Sequence, residues 1–240
     1  MDNSLHYLAL NRQIGLKVEM DVIANNIANI NTTGFRREGV SFTEFVVSAA
    51  NESSVSMADP GARHILGLQG EMGETNGSFD FAIEGDGFFL LQGEDATLLT
   101  RAGSFQISNE GILTTTAGTP VLDNGGAAIP IAIDAKEISV AEDGTISANG
   151  QPIAQLGVVT ADSVALKRFG DTAFTVADDA FEAVENPKVR QGALESSNVN
   201  PINEIARMIE VTRAYEMAQS VITDEDERVR EAIQTLSEIA

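Results

Sequence analysis

The sequence contains no cysteine, no tryptophan, only two histidines, and fifteen basic residues against thirty-six acidic ones. The missing cysteine excludes disulfides, a thiol nucleophile and a thiolate-bound metal. Neither His6 nor His64 sits in a His-Glu-x-x-His motif or in any metal-ligand spacing, so no metal and no cofactor is expected. A formal net charge of −21 repels phosphate backbones and leaves no basic stripe, which argues against nucleic acid as a partner. No run approaches the ~18 uninterrupted apolar residues of a membrane helix, so stable membrane insertion is not expected. The opening Met1-Asp2-Asn3-Ser4 lacks a basic stretch followed by an apolar one, so a protein leaving the cytoplasm would do so without a cleaved signal of that type.

Catalytic patterns are also missing. There is no Gly-x-Ser-x-Gly elbow and no phosphate-binding Gly-x-x-x-x-Gly-Lys. Gly85-Asp86-Gly87-Phe88-Phe89 precedes a strand rather than a helix and reads as a hairpin turn. Asp178, Asp179, Glu182 and Glu185 could supply a glycosidase carboxylate pair only across a cleft, and Asp224-Glu225-Asp226-Glu227 lacks the glycine-bearing loop of a calcium site. The expectation is a protein that is not an enzyme. From the residues alone two rivals stay open: a glycan hydrolase using Asp178 or Glu182, and an adaptor whose terminal helices cap a β-domain.

The chain of 240 residues has a hydrophobic fraction of 43%, supplied mainly by aliphatic residues and eleven phenylalanines. A compact chain of this length buries roughly 70% of its unfolded surface. Helices are expected over residues 4–31 and 201–239. In the first, Ala9, Gln13, Leu16, Met20, Ile23, Ile27 and Ile30 step by four and three, and Gly34 is the expected terminator. In the second, Asn200 is the N-cap and Pro201 the first helical residue. Met208, Val211, Tyr215, Ala218, Ile222, Glu225, Val229, Ala232, Leu236 and Ile239 then alternate three and four, the spacing of a coiled-coil seam. Residues 1–37 carry four bases and three acids, while residues 201–240 carry four bases and nine acids; a charge run of this kind is usually a solvated face, and the alternative is that the acidic helix pairs with the near-neutral one.

Between the helices, turn signals at Gly85-Asp86-Gly87, Asn109-Glu110-Gly111, Asn124-Gly125-Gly126, Asp143-Gly144 and Asn149-Gly150 punctuate short apolar runs and predict β-hairpins. The stretch from Ile107 to Val121 echoes that from Val140 to Ile153, which predicts a duplicated hairpin unit within one sheet. The fold class expected is α+β: long N- and C-terminal helices packing as a coiled-coil-like bundle, with a central all-β domain of hairpins. The divisions are residues 1–35 for an N-terminal helix, 36–75 for an extended linker or irregular arm, 76–195 for the β-rich domain and 196–240 for the C-terminal helix.

Asn25, Asn26 and Asn29 weaken the end of the first helix, because asparagine is a mediocre helix former. Two readings are equally open on physics: a fraying helix end with self-capping amides, or amides that bond neighbouring backbones or subunits and fix register.

The run Ala24-Asn25-Asn26-Ile27-Ala28-Asn29 with Thr33-Gly34-Phe35 resembles the N-terminal signature of the flagellar rod, hook and hook-associated axial proteins. Gly85 to Phe89, Thr100 to Phe105, Asn109 to Leu113, Gln191 to Glu195 with Ser197-Asn198-Val199, and Met208-Ile209 with Arg213 to Glu216 match the same family in order. The resemblance implies a structural subunit of the bacterial flagellar basal body, exported through the flagellar type III apparatus and assembled in the periplasm with copies of itself and with homologous rod subunits. It implies helices at the tube axis and a β-domain outside. The short chain and the opening Met1 to Leu5, with Met20-Asp21-Val22-Ile23, point to a proximal-rod member; a distal-rod subunit is the alternative. The expected assembly interface is Leu16, Met20, Ile23, Asn25, Asn26, Ile27, Asn29 and Ile30 from the first helix and its end, with Met208, Val211, Tyr215, Ala218, Ile222, Val229, Leu236 and Ile239 from the second.

Overall fold

The structure, a computed structural model, describes residues 3–47, 55–135, 137–176 and 180–239. The chain opens with helix α1 (Asn3–Ala28) and the strands β1 (Glu38–Val47) and β2 (Val55–Ile65). It continues through β3 (Met72–Glu74), β4 (Phe81–Ile83), β5 (Phe88–Gln92), β6 (Thr97–Thr100), β7 (Phe105–Ile107) and β8 (Leu113–Thr115). Next come β9 (Ile138–Val140), β10 (Thr145–Ala148), β11 (Gln151–Gln155), β12 (Val158–Ala161), β13 (Lys167–Phe169) and β14 (Ala173–Thr175). The strands β15 (Phe181–Ala183), β16 (Val189–Gln191) and β17 (Ala193–Glu195) lead to helix α2 (Pro201–Ile239). Two compact units result, one of Met1–Ile27, Glu38–Arg63 and Asn200–Ala240, the other of Ala28–Arg37 and His64–Val199.

The second unit is built on a six-stranded sheet in the order β13-β14-β6-β5-β12-β15. Its central strand β5 is buried from Phe88 to Leu91, because alternate side chains of Phe88-Phe89-Leu90-Leu91 enter different cores. Phe89 and Leu91 join Phe81, Phe105, Leu113, Ile129, Ile146 and Leu156 on one side. Phe88 and Leu90 join Leu99, Val159 and Phe174 on the other. Phenylalanine supplies the bulk that tryptophan would otherwise give: Phe89 meets Phe105 edge-on at 5.3 Å, and Phe88 meets Phe174 at 5.7 Å.

The internal echo is a structural duplication. Ile107 pairs with Leu113 across one hairpin and Val140 with Ile146 across the other. In each turn the glycine N–H donates three residues back, Gly111 to Ser108 at 3.0 Å and Gly144 to Ala141 at 2.9 Å, with φ of 75° and 81°. The two units do not share a sheet, however: β7 and β8 form a two-stranded sheet, whereas β9 and β10 join β11 in a three-stranded one.

The expected long bundle of terminal helices is overturned. The body is mostly β, with a shorter helix at the N-terminus and one long helix at the C-terminus. At ~1.5 Å per residue the 26 residues of α1 span about 39 Å and the 39 of α2 about 58 Å. The side-chain bonds Gln13–Gln219, Met20–Thr212 and Asn26–Glu204 set an antiparallel register in which paired numbers add to 230–232. That register brings α1 to its first residue beside position 229, so among the described residues no helix accompanies the end of α2. Val229 is accordingly 48% exposed and Ile233 61%.

The first helix also ends earlier than its apolar spacing suggests. It stops at Ala28 and gives way to turns over residues 29–34, where the asparagines lower helical propensity. Gly34, six residues beyond, does not terminate it. The segment expected as an extended linker or irregular arm contains β1 and β2, which pair in a two-stranded sheet. Among the described residues no helix is long and apolar enough to cross a membrane.

Candidate assembly surface and its supporting polar clusters

The helix α2 begins on an asparagine cap. The Asn200 Oδ1 accepts the N–H groups of Ile202 at 3.0 Å and Asn203 at 3.2 Å, and Pro201 occupies the first position, where an N–H would be orphaned anyway. Along α2, Glu204, Val211 and Ala218 recur every seven residues and are buried, while Met208, Tyr215 and Ile222 are half-buried. On α1, Ile23 is buried, and Leu16, Met20 and Ile27 are half-buried. Glu19 accepts from Arg207 at 2.7 Å, and this carboxylate raises the guanidinium above its usual value. The side chains of Leu236 and Ile239 lie outside the described residues, and Ile30 is half-buried within the turns after α1.

The two readings of the asparagine run divide between residues. Asn26, fully buried, donates to the Glu38 carbonyl at 2.9 Å and accepts the Glu38 N–H at 3.0 Å, so its amide starts β1 as a paired strand would. It also donates to the Glu204 carboxylate at 3.1 Å. Asn29 serves the local turn instead, its Oδ1 accepting the Thr32 hydroxyl at 2.9 Å. Asn25 is half-buried beside them.

A second set of apolar residues on α2 escaped the seam pattern. Ile202, Ile205, Ile209, Met217 and Val221 are all exposed, Met217 by 63%. Their signal was present as a four-residue recurrence, 205 to 209 and 217 to 221, interrupted by Arg213.

Within the other unit the polar centre is Glu195. Its carboxylate meets the Arg36 guanidinium at 3.0 Å and Arg101 Nε at 2.5 Å, and accepts the Gly70 N–H at 2.9 Å, with all three side chains buried. Arg101 also donates to the carbonyls of Ile83 at 2.7 Å, Gly85 and Gly87. Gly85-Asp86-Gly87 is therefore no hairpin turn, since β4 pairs with β16 and β5 with β6 and β12. Its positive φ values, 89° and 145° at the two glycines, turn carbonyls inward onto a cation. Gln69 holds this loop from another side, donating to the Ile83 carbonyl and accepting the Gly85 N–H. Arg36 donates to the carbonyls of Gly67 and Leu68 as well, and burial pushes its guanidinium below the usual value against the opposing pull of Glu195.

Gly34 closes against this cluster. Its N–H donates to the Glu195 carbonyl at 2.7 Å, and a Cβ on it would lie 2.3 Å from the Ala102 nitrogen. Sequence reasoning missed Arg36, Arg101 and Glu195 as a unit. Each lies in or beside a motif block, but the blocks are far apart in the chain.

Of the carboxylates weighed as a catalytic pair, Glu182 and Glu185 are exposed, and Asp178 and Asp179 lie outside the described residues. Glu225 in the acidic run accepts from Arg228 at 2.6 Å. Among the described residues no group of three or more His, Asp or Glu could hold a metal ion. His64 is half-buried at the end of β2, and nothing is described of the His6 side chain.

Three family models match the chain. They are the flagella basal body rod protein model over residues 7–36, the flagellar hook protein FlgE/F/G D1 domain over 82–148, and the flagellar basal body rod FlgEFG protein C-terminal region over 190–235. Among curated proteins, the flagellar basal-body rod protein FlgF of Caulobacter vibrioides is 38% identical, with all of both chains covered. FlgF of Mesorhizobium japonicum is 37% identical over 98% of each chain, and FlgG of Bacillus subtilis is 32% identical over 95% of this chain and 97% of its own. The chain belongs to the flagellar basal-body rod protein family.

Proposed function

We propose that this chain is a structural subunit of the flagellar rod, in its proximal part, and that it works by assembling with copies of itself and with homologous rod subunits into a shaft that transmits torque. The observation that carries this reading is full-length similarity to rod proteins named FlgF at 37–38% identity. The physics of α2 supports it: Ile205, Ile209, Met217 and Val221 leave apolar surface in water on a long helix, which association would bury. Each such side chain is worth about 1.5–3 kcal/mol on full burial, before ordering costs.

In this reading residues 1–35 and 196–240 are the axial elements, 36–75 an arm and 76–195 the outer β-rich domain. The interface uses the exposed ridge Ile205, Ile209, Met217 and Val221 together with Leu16, Met20, Ile27, Ile30, Met208, Tyr215, Ile222, Val229, Leu236 and Ile239, with Ile23, Asn25, Asn26, Asn29, Val211 and Ala218 holding its geometry. The chain reaches the periplasm through the flagellar type III export apparatus, and its role is structural rather than catalytic.

A distal-rod role is the second reading, favoured by relatives named FlgG at 32% and 35% identity over 95% and 88% of this chain. Electron microscopy of basal bodies from a strain lacking the gene separates them. Rods that stop close to the inner membrane are expected. Rods that are complete, or that lack only their outer part, would refute a proximal role.

A further inference from the structure

The backbone leaves the β-rich unit after Arg37, re-enters it at His64 and leaves again after Val199. The chain first enters the unit at Ala28; within it the other three passages meet one side chain. Asn198 Oδ1 accepts the Arg37 N–H at 2.6 Å, and its Nδ2 donates to the carbonyls of Leu66 at 3.2 Å and Leu68 at 2.7 Å. The Asn198 N–H reaches the Phe35 carbonyl at 3.4 Å, and the Leu66 N–H donates to the Arg37 carbonyl at 2.9 Å, which closes the ring of bonds. Asparagine suits this place because one planar amide offers both an acceptor and two donors.

The neighbouring groups reinforce the same point. Arg168 donates to the Arg36 carbonyl at 2.5 Å and lies over the rings of Phe35 and Phe174, at 4.4 and 5.3 Å from their centroids. The Gly34 N–H binds the Glu195 carbonyl three residues before Asn198. Short, irregular segments at a unit's edge would ordinarily be the first to open, having few apolar contacts of their own. Here they are tied crosswise.

We propose that Asn198 is a three-way staple that makes the exits at residues 35–37, 66–68 and 196–199 a single mechanical element. A pull along the backbone at one exit is then shared by the other two rather than peeling one segment from the sheet. The sharing of load rests on the rod reading; the staple itself does not.

Hydrogen exchange on the purified full chain tests the staple. Asn198→Ala should speed exchange at the amides of Arg37 and Leu66 at least about tenfold, as expected for removing bonds worth about 1.4 kcal/mol in sum, while Leu99 and Phe174 in the sheet stay unchanged. Asn198→Asp keeps the acceptor but loses both donations, so Leu66 should speed up and Arg37 should not. Unchanged exchange at both amides in Asn198→Ala, or an equal rise at Leu99 and Phe174, would overturn the staple. In the bacterium, Asn198→Ala should give rods of full length and slower swimming in viscous medium. Unimpaired swimming alongside fast local exchange would overturn the sharing of load and leave the rod assignment standing.

Discussion

Replacing Glu195 by glutamine removes one charge and almost no volume, yet it should be among the costliest single changes in the β-rich unit. The carboxylate joins two buried guanidiniums and the Gly70 N–H. A glutamine must turn its NH2 toward one of these donors, leaving donor against donor and two cations with no anion between them. Breaking a buried ion pair from one side typically costs about 3–5 kcal/mol. The remaining carbonyls bound by Arg101 and Arg36 soften the loss without neutralising either charge, so about 4 kcal/mol is expected. With a urea slope of about 2 kcal/mol per molar, the unfolding midpoint should fall by about 2 M. The assay is far-ultraviolet circular dichroism, since the chain has no tryptophan for fluorescence. Glu185→Gln, an exposed residue with the same change of charge, should shift the midpoint by no more than about 0.5 kcal/mol equivalent. Burial also predicts little dependence on salt. Arg101→Met should cost more than Arg36→Met, because Arg101 also gathers the carbonyls of Ile83, Gly85 and Gly87, whereas Arg36 carries a buried Nε with no partner. A midpoint for Glu195→Gln within about 0.3 M of the parent, at unchanged slope, would refute the reasoning, since it would mean less than about 1 kcal/mol rides on the cluster.

Asn26→Ala should destabilise the unit holding both helices by about 3 kcal/mol, because it strips three bonds from buried partners, and hydrogen exchange at the Glu38 amide should report it first. No loss of protection at Glu38 would count against the amide as the start of β1. Asp143, held below the usual carboxylate range by the Thr145 N–H and hydroxyl, stabilises its turn above that range and loses the effect as pH falls through its own lower value. The Thr145 amide resonance should therefore titrate with a midpoint below the usual carboxylate range, and a midpoint within or above that range would remove the bond from the account. Ile209→Asp with Val221→Asp should leave the circular dichroism of the purified chain intact and abolish incorporation into rods, as each introduces a charge on an exposed apolar ridge. Rods that contain the double variant would dismiss that ridge as an interface.

Much of the local structure was legible because it depends on near neighbours. The cap at Asn200, the glycines at 111 and 144, and the echo between the two hairpins each need only a few consecutive residues, and each is present. The failures are of another kind. Periodicity showed that both terminal segments could form one-sided helices, but register and length decide how far they run together, and α1 is too short to accompany α2 past about residue 229. Gly34 and Gly85-Asp86-Gly87 were legible as special backbone positions, but their purpose was not, because it lies in the Ala102 backbone and the Arg101 guanidinium.

That distinction explains why the motif blocks look unrelated in sequence. Thr33-Gly34-Phe35 ends beside Arg36, Gly85 to Phe89 supplies carbonyls, Thr100 to Phe105 supplies Arg101, and Gln191 to Val199 supplies both Glu195 and Asn198. None of these segments can satisfy its own buried polar groups: the loop lacks donors for its carbonyls, the arginines lack an anion, and the exits lack strand partners. Each is stabilised by the others, and the exits depend on the interior cluster more than the interior depends on them. The glutamate that neutralises the interior is three residues from the asparagine that ties the exits. A change at Glu195 should therefore also loosen residues 35–37 and 66–68, whereas a change at Asn198 should spare the interior, and the order of these effects is what separates the core of the unit from its edge.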